Sequence, residues 1–186
     1  MRFVPTELPE VMLLEPQRHG DARGFFFESY RAEQFRSAGL PEHFVQDAFS
    51  RSCLGTVRGL HLQNPYGQGK LIAAVVGEIL DVAVDVRVGS PSFGRWVSRR
   101  LSDQNLHRIF IPEGFAHGFA VLSEYALVSY RFTDYYHPEA ELGIAWNDPE
   151  LGIEWPFAEP ILSPKDKDAA PLREHSRLPQ FRAPTE

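Results

Sequence analysis

Glycine and proline interrupt the chain from end to end, 14 of the one and 15 of the other, leaving only short apolar segments between them. Such punctuation suits strands joined by turns and leaves little room for long helices. The clearest strand runs from Glu78 to Arg87, where Leu80, Val82, Val84 and Val86 point one way and Asp81, Ala83 and Asp85 the other. Further strands are read at Met12-Leu14, Gly24-Ser29, Gly55-Leu62, Leu71-Val76, Arg95-Leu101, His107-Ile111, Gly118-Leu122 and Leu127-Thr133. One stretch reads as a helix, Tyr30 to Ala38, with Ser29 as its N-cap, Gly39 as its stop and Phe35 turned inward. The pattern is all-β and favours a sandwich, a barrel or a jelly roll.

A length of 186 residues suits one domain, 1–186, with a core large enough to need no disulfide or structural metal. From Ile161 onward the chain turns polar and proline-rich, so residues 163–186 are expected to form a C-terminal arm along the barrel. A net charge of -6 leaves no basic excess to displace counterions from a nucleic acid, although a few focused arginines still suit an anionic small molecule. No apolar run approaches the roughly 18 residues of a membrane span, and the N-terminus carries no secretory pattern. With Cys53 the only cysteine, a cytoplasmic protein is expected.

Two histidines stand in glycine-marked settings, Gly55-Thr56-Val57-Arg58-Gly59-Leu60-His61-Leu62-Gln63 and Pro112-Glu113-Gly114-Phe115-Ala116-His117-Gly118. A barrel that holds a transition metal offers His-x-His on one strand, a Glu shortly after, and a last His from a later strand. Here the second same-face position is Gln63, and Asn64, Gln68 and Gly69 stand where the Glu belongs. Two imidazoles without thiolate or carboxylate support make a weak metal site, so no metal is expected and the histidines are free for proton transfer.

The ordered set of motifs resembles the dTDP-4-dehydrorhamnose 3,5-epimerases, metal-free members of the cupin-like jelly rolls. The resemblance is carried by Asp21-Ala22-Arg23-Gly24-Phe25-Phe26-Phe27-Glu28, Arg58-Gly59-Leu60-His61-Leu62-Gln63, Gly77-Glu78-Ile79-Leu80-Asp81-Val82, Ile111-Pro112-Glu113-Gly114-Phe115-Ala116-His117-Gly118, Tyr130-Arg131-Phe132-Thr133-Asp134-Tyr135-Tyr136 and Ser163-Pro164-Lys165-Asp166. It implies a cupin-like jelly-roll barrel with a few short helices that epimerises a nucleotide-linked 4-keto-6-deoxy sugar at C3 and C5, without a cofactor. By the same resemblance His61 is the general base, Tyr130 the general acid, Asp166 the group orienting His61, and Lys70 the cation at the enolate oxygen. Arg23 and Arg58 fall on diphosphate-binding positions, and Glu28, Gln46, His117, Glu141 and Lys165 on other substrate contacts. Of Phe25, Phe26 and Phe27, at least one is expected in the core and one against the thymine. A homodimer with N-terminal strands exchanged between barrels is also implied.

Ala48 stands where asparagine is common in the family, and Leu62 where an aromatic is common, which leaves open whether both carbons are epimerised. A single-carbon epimerase of a related deoxysugar route is the near alternative. A metal-dependent cupin and a non-catalytic sugar-binding barrel are the alternatives of other classes.

Overall fold

The computed structural model describes residues 1–183; positions 184–186 of the expected arm lie outside the described residues. In chain order the strands are β1 (Arg2–Pro5), β2 (Met12–Glu15), β3 (Arg18–Asp21), β4 (Gly24–Phe27), β5 (Gln46–Cys53), β6 (Val57–Gln63) and β7 (Lys70–Val76). They continue with β8 (Glu78–Asp85), β9 (Trp96–Ser102), β10 (Arg108–Ile111), β11 (Phe115–Val121), β12 (Tyr125–Phe132) and β13 (Glu141–Gly143). Two short α-helices accompany them, α1 (Ala32–Ser37) and α2 (Pro164–Lys167). No helix among the described residues is long and apolar enough to cross a membrane.

The strands form a six-stranded sheet in the order β1-β2-β10-β7-β12-β5 and a five-stranded sheet in the order β13-β6-β11-β8-β9. Every pairing is antiparallel, and the two sheets face one another as a jelly roll. Between them lies the main core, with Ile72, Ala74, Ile109, Ile111 and Val128 from one sheet meeting Ile79, Ala83, Val97, Phe115 and Phe119 from the other. The alternation read along β8 explains why this strand is buried on both sides. Ile79 and Ala83 face the interior, whereas Val82, Val84 and Val86 pack outward against Leu60, Leu142, Ile144, Leu172 and Leu178. The last two come from the C-terminal segment, which wraps this outer face as an arm.

The helix is shorter than the sequence suggests. It starts at Ala32, with Arg31 in an extended conformation at the N-cap and no side-chain cap, so Ser29 plays no capping part. Tyr30 is held outside it, its ring against Phe35 and Phe44 and its hydroxyl donating to the Glu42 carbonyl. The stop is as read: Gly39 has φ +73°, a backbone conformation glycine adopts without strain. Phe35 is fully buried and seals α1 onto Leu14, Leu71 and Phe110 of the six-stranded sheet.

Strand β11 begins three residues earlier than expected, immediately after the turn at Gly114. Strands β1, β3, β5 and β13 add to those read from the sequence. The hairpin of β3 and β4 forms its own two-stranded sheet and joins neither face. Consequently Phe25 and Phe26 are exposed, and none of the three phenylalanines belongs to a buried core, which corrects that expectation.

Candidate active site

The two glycine-marked histidines are cross-strand neighbours. His61 on β6 stands directly opposite His117 on β11, both directed into the space between the sheets. Gly59 permits this close approach: a Cβ there would lie 2.5 Å from the His117 carbonyl oxygen. From the facing sheet, β12 supplies Tyr130 and Phe132, β7 supplies Lys70, and β5 supplies Gln46 and Ala48. These groups line a cavity of about 190 Å³, which Gln63, Gln68, Tyr136 and Glu141 complete.

His61 is oriented from outside the barrel. The Ser163 side chain caps α2 by accepting from the Asp166 N–H, and this turn delivers the Asp166 carboxylate to His61, Nε2 to Oδ1 at 2.6 Å. The second oxygen of Asp166 accepts from the Ser163 hydroxyl at 2.8 Å. Burial works against the charge on Asp166, but hydrogen bonds from His61, Ser163 and the Gly59 backbone outweigh it and hold the carboxyl below its usual range. An ionised Asp166 therefore receives the Nε2 proton and leaves Nδ1 of His61 as the free, basic nitrogen.

Tyr130 meets the opposite requirement. It is largely enclosed, hydrogen-bonded to Ser50 at 2.8 Å, and burial pushes its phenol up to about 12. It is thus a protonated donor throughout the working range of a histidine. Among the described residues Lys70 is buried with the Gln68 carbonyl as its one hydrogen-bond partner, Nζ to O at 3.3 Å, and burial brings its ammonium down to about 8 against the pull of Glu141. A poorly solvated cation inside the cavity is suited to meeting a developing oxyanion.

At the mouth, Glu141 accepts from the Tyr136 hydroxyl at 2.6 Å and is ion-paired with Lys165 of α2. Burial opposes its charge, yet those two partners keep it ionised. Gln46 accepts from the Tyr136 backbone N–H at 2.9 Å. Arg58 is held by Ser52, Nε to Oγ at 2.9 Å, close enough to act on the Tyr130 phenol. Eight of the proposed residues, His61, Lys70, His117, Tyr130, Gln46, Glu141, Asp166 and Lys165, are thus gathered at one place with Arg58 beside them.

Arg23 and Glu28 are not gathered there. Arg23 is exposed on the β3–β4 turn and paired with Asp21, Nη2 to Oδ2 at 2.6 Å, while Glu28 is paired with Arg31 at 2.7 Å. The sequence reading also missed Ser50, the partner of Tyr130, and Asp81, which meets His117 Nε2 at 2.7 Å. The position of Asp81 between Ile79 and Ala83 on a strand buried on both faces was the available signal. Gln63, at the place of the absent metal ligand, has its amide committed to the Tyr66 and Tyr135 carbonyls and the His137 N–H. Leu62 packs its side chain outward among the apolar residues beneath the arm.

Residues 5–174 match the family model described as dTDP-4-dehydrorhamnose 3,5-epimerase. A dTDP-4-dehydrorhamnose 3,5-epimerase from Pseudomonas aeruginosa is 54% identical over 169 residues, covering 90% of this chain and 93% of the relative. One from Salmonella typhimurium is 51% identical, covering 96% and 98% of the two chains. A crystal structure of a dTDP-6-deoxy-D-glucose-3,5-epimerase from Legionella pneumophila, in complex with dTDP-4-keto-L-rhamnose, superposes with a TM-score of 0.94. It is 48% identical, and the match covers 98% of this chain and 99% of that one.

Proposed function

The chain belongs to the dTDP-4-dehydrorhamnose 3,5-epimerase family, and from that membership we propose how its own residues invert two carbons of a dTDP-linked 4-keto-6-deoxyhexose. The substrate is dTDP-4-dehydro-6-deoxy-D-glucose and the product dTDP-4-dehydro-L-rhamnose, the step that supplies L-rhamnose biosynthesis. The observation that carries the mechanism is the placement of a base and an acid on facing sheets, His61 on β6 and Tyr130 on β12, across one cavity.

The C4 carbonyl acidifies the hydrogens at C3 and C5. His61 Nδ1 removes such a proton from one side of the ring, and the electron pair moves onto the C4 oxygen as an enolate. Lys70 stabilises that oxygen, and because the charge exists only after deprotonation, the interaction favours the transition state over the ground state. Tyr130 returns a proton from the opposite side, which inverts the carbon. One proton leaves and one arrives at each carbon, and proton exchange with water returns His61 and Tyr130 to their starting states between the two inversions, so this inventory requires no metal or cofactor. Gln46, His117, Glu141 and Lys165 position the sugar and nucleotide, and Arg58 takes the diphosphate.

Arg23 and Glu28 complete the site in a homodimer, in which the β3–β4 hairpin of one protomer reaches the cavity of its partner. The support is that this hairpin joins neither sheet of its own chain and exposes Phe25 and Phe26. The enzyme works as a single jelly-roll unit per protomer in the cytoplasm, a setting that suits one free cysteine, Cys53.

Incubation with dTDP-4-dehydro-6-deoxy-D-glucose in heavy water tests the reaction and its regiochemistry together. Deuterium is expected at both C3 and C5 of the product. Label at one carbon alone would make the chain a mono-epimerase, and no label would remove the epimerase reading.

A further inference from the structure

The cavity contains a second histidine–aspartate pair that the mechanism above does not explain. Asp81 projects from β8 into the barrel and is fully buried; its Oδ2 meets His117 Nε2 at 2.7 Å. Its other oxygen, Oδ1, is buried with no hydrogen-bond partner among the described residues. His117 is itself 5% exposed, and its Nδ1 is on the side of the ring left to the cavity, with no protein partner among the described residues.

We infer that Asp81 is a neutral carboxylic acid that donates its proton to His117 Nε2 and so fixes His117 as the Nδ1–H tautomer, a hydrogen-bond donor to the sugar. The geometry argues for this by contrast with the neighbouring pair. Asp166 has a donor on each oxygen, from His61 on one and Ser163 on the other, as an ionised carboxylate requires. Asp81 has a single partner for two oxygens. An ionised Oδ1 sealed from water without a donor is far less favourable than the lone carbonyl of an acid.

The other groups around Asp81 do not supply a compensating charge. On β9 its ladder partner is Arg99, whose guanidinium is turned to Glu7, Nη2 to Oε2 at 2.7 Å. Across the barrel, β12 presents the protonated phenol of Tyr130, and β11 presents the uncharged ladder partner Phe119 and, as its titratable group, His117. Burial raises the Asp81 carboxyl, and the opposing influence of His117 does not overcome it.

Two adjacent imidazoles thereby acquire opposite polarity. His61, bonded to an ionised aspartate, turns a lone pair to the cavity; His117, bonded to a protonated one, turns an N–H to it. The first takes a proton from carbon, and the second holds an oxygen of the same sugar, so the two do not compete as bases. Asp81 is a positioning residue in this scheme. The use of the N–H on the sugar rests on the epimerase reading, whereas the tautomer is a property of the free protein and is tested without substrate.

Nitrogen-15 NMR of histidine-labelled protein near neutral pH, with the His117 signals assigned by their loss in His117→Gln, reads the tautomer directly. A protonated Nδ1 with an unprotonated Nε2 is expected. Protonation at Nε2 alone, or at both nitrogens beside an ionised Asp81, overturns the proposal. Kinetics supply the second arm: Asp81→Ala is expected to lower kcat by about 100-fold or more, in the range of a lost proton-transfer or orienting group. Asp81→Asn, whose amide N–H can replace the acid O–H toward Nε2, is expected to restore most of that loss. An asparagine variant as impaired as the alanine variant also overturns it. Should neither variant fold, the wild-type NMR measurement still decides.

Discussion

At the scale of single residues, the cavity sets a useful cation against the stability of the protein that holds it. Lys70 is 6% exposed and its ammonium is brought down to about 8 by burial from an ordinary value of 10.5. Between those two pH values the unfolded chain binds a proton that the folded chain has released, so stability rises with pH across that window. Below about 8 the folded protein carries the full penalty of a buried charge, on the order of 3 to 3.5 kcal/mol for a shift of this size. Lys70→Met is accordingly expected to raise stability at pH 7 by roughly that amount in urea titration, while turnover falls by about 100-fold or more from loss of the oxyanion partner. In the wild type, kcat should decline as pH rises through about 8, where Lys70 loses its charge. A decline that persists unchanged in Lys70→Met would assign that limb to another group. The assignment of Lys70 illustrates what the sequence contained. As a lysine after Gly67-Gln68-Gly69 it reads as an ordinary loop residue, and only the family resemblance singled it out.

At the scale of elements, two strands of the six-stranded sheet escape the sequence pattern, the edge strand β1 and β5, and β5 is the one that lines the site. Along β5 the inward positions are Gln46, Ala48, Ser50 and Ser52, while Phe49 points outward and is 64% exposed. That inverts the apolar-in, polar-out alternation by which half-buried strands are recognised, and it does so because the inward side faces a polar cavity. Strand β8, with apolar residues on its outward face and Ile79 and Ala83 inward, was legible for the opposite reason: packing dictated both its faces. The β3–β4 hairpin is a third case: its aromatic strand β4 was legible, whereas β3, Arg18–Asp21, is exposed along its whole length and has no apolar alternation to read. Its proposed partner makes a sharp test. On the proposed mechanism a His61→Ala protomer has a dead cavity and an intact hairpin, and an Arg23→Ala protomer has the reverse. If the hairpin serves the partner's site, mixing the two after dissociation and reassociation restores about a quarter of wild-type activity, because half of the dimers are mixed and each carries one intact site. Assayed at low substrate, no recovery beyond the separate variants would place Arg23 in the site of its own chain or outside any site.

At the scale of the whole molecule, the two ends of the chain are tied to one buried cluster next to the catalytic barrel. Asp85, at the end of β8 and fully buried, accepts hydrogen bonds from the Arg87 guanidinium and from Ser90 and Ser92. Arg87 reaches outward from there to Glu10 near the N-terminus, Nη1 to Oε2 at 2.6 Å. Its guanidinium also lies 4.5 Å from the centre of the Phe115 ring and 5.1 Å from that of Phe181 in the C-terminal arm. The arm is anchored beside it by Val88, which pairs backbone to backbone with Gln180. One arginine therefore joins the N-terminal segment, the central strand and the arm whose upstream turn delivers Asp166 to His61. Removing it leaves the Asp85 carboxylate buried without its cation, so Arg87→Leu is expected to destabilise the fold by about 3–5 kcal/mol. Replacing Asp85 by Leu as well removes the orphaned charge, and the double variant should recover part of that loss in the same denaturation experiment. None of these residues lines the cavity, so the folded fraction of Arg87→Leu should keep its turnover at low temperature. Turnover lost from fully folded protein would show instead that anchoring the arm at Phe181 controls how Asp166 is seated on His61.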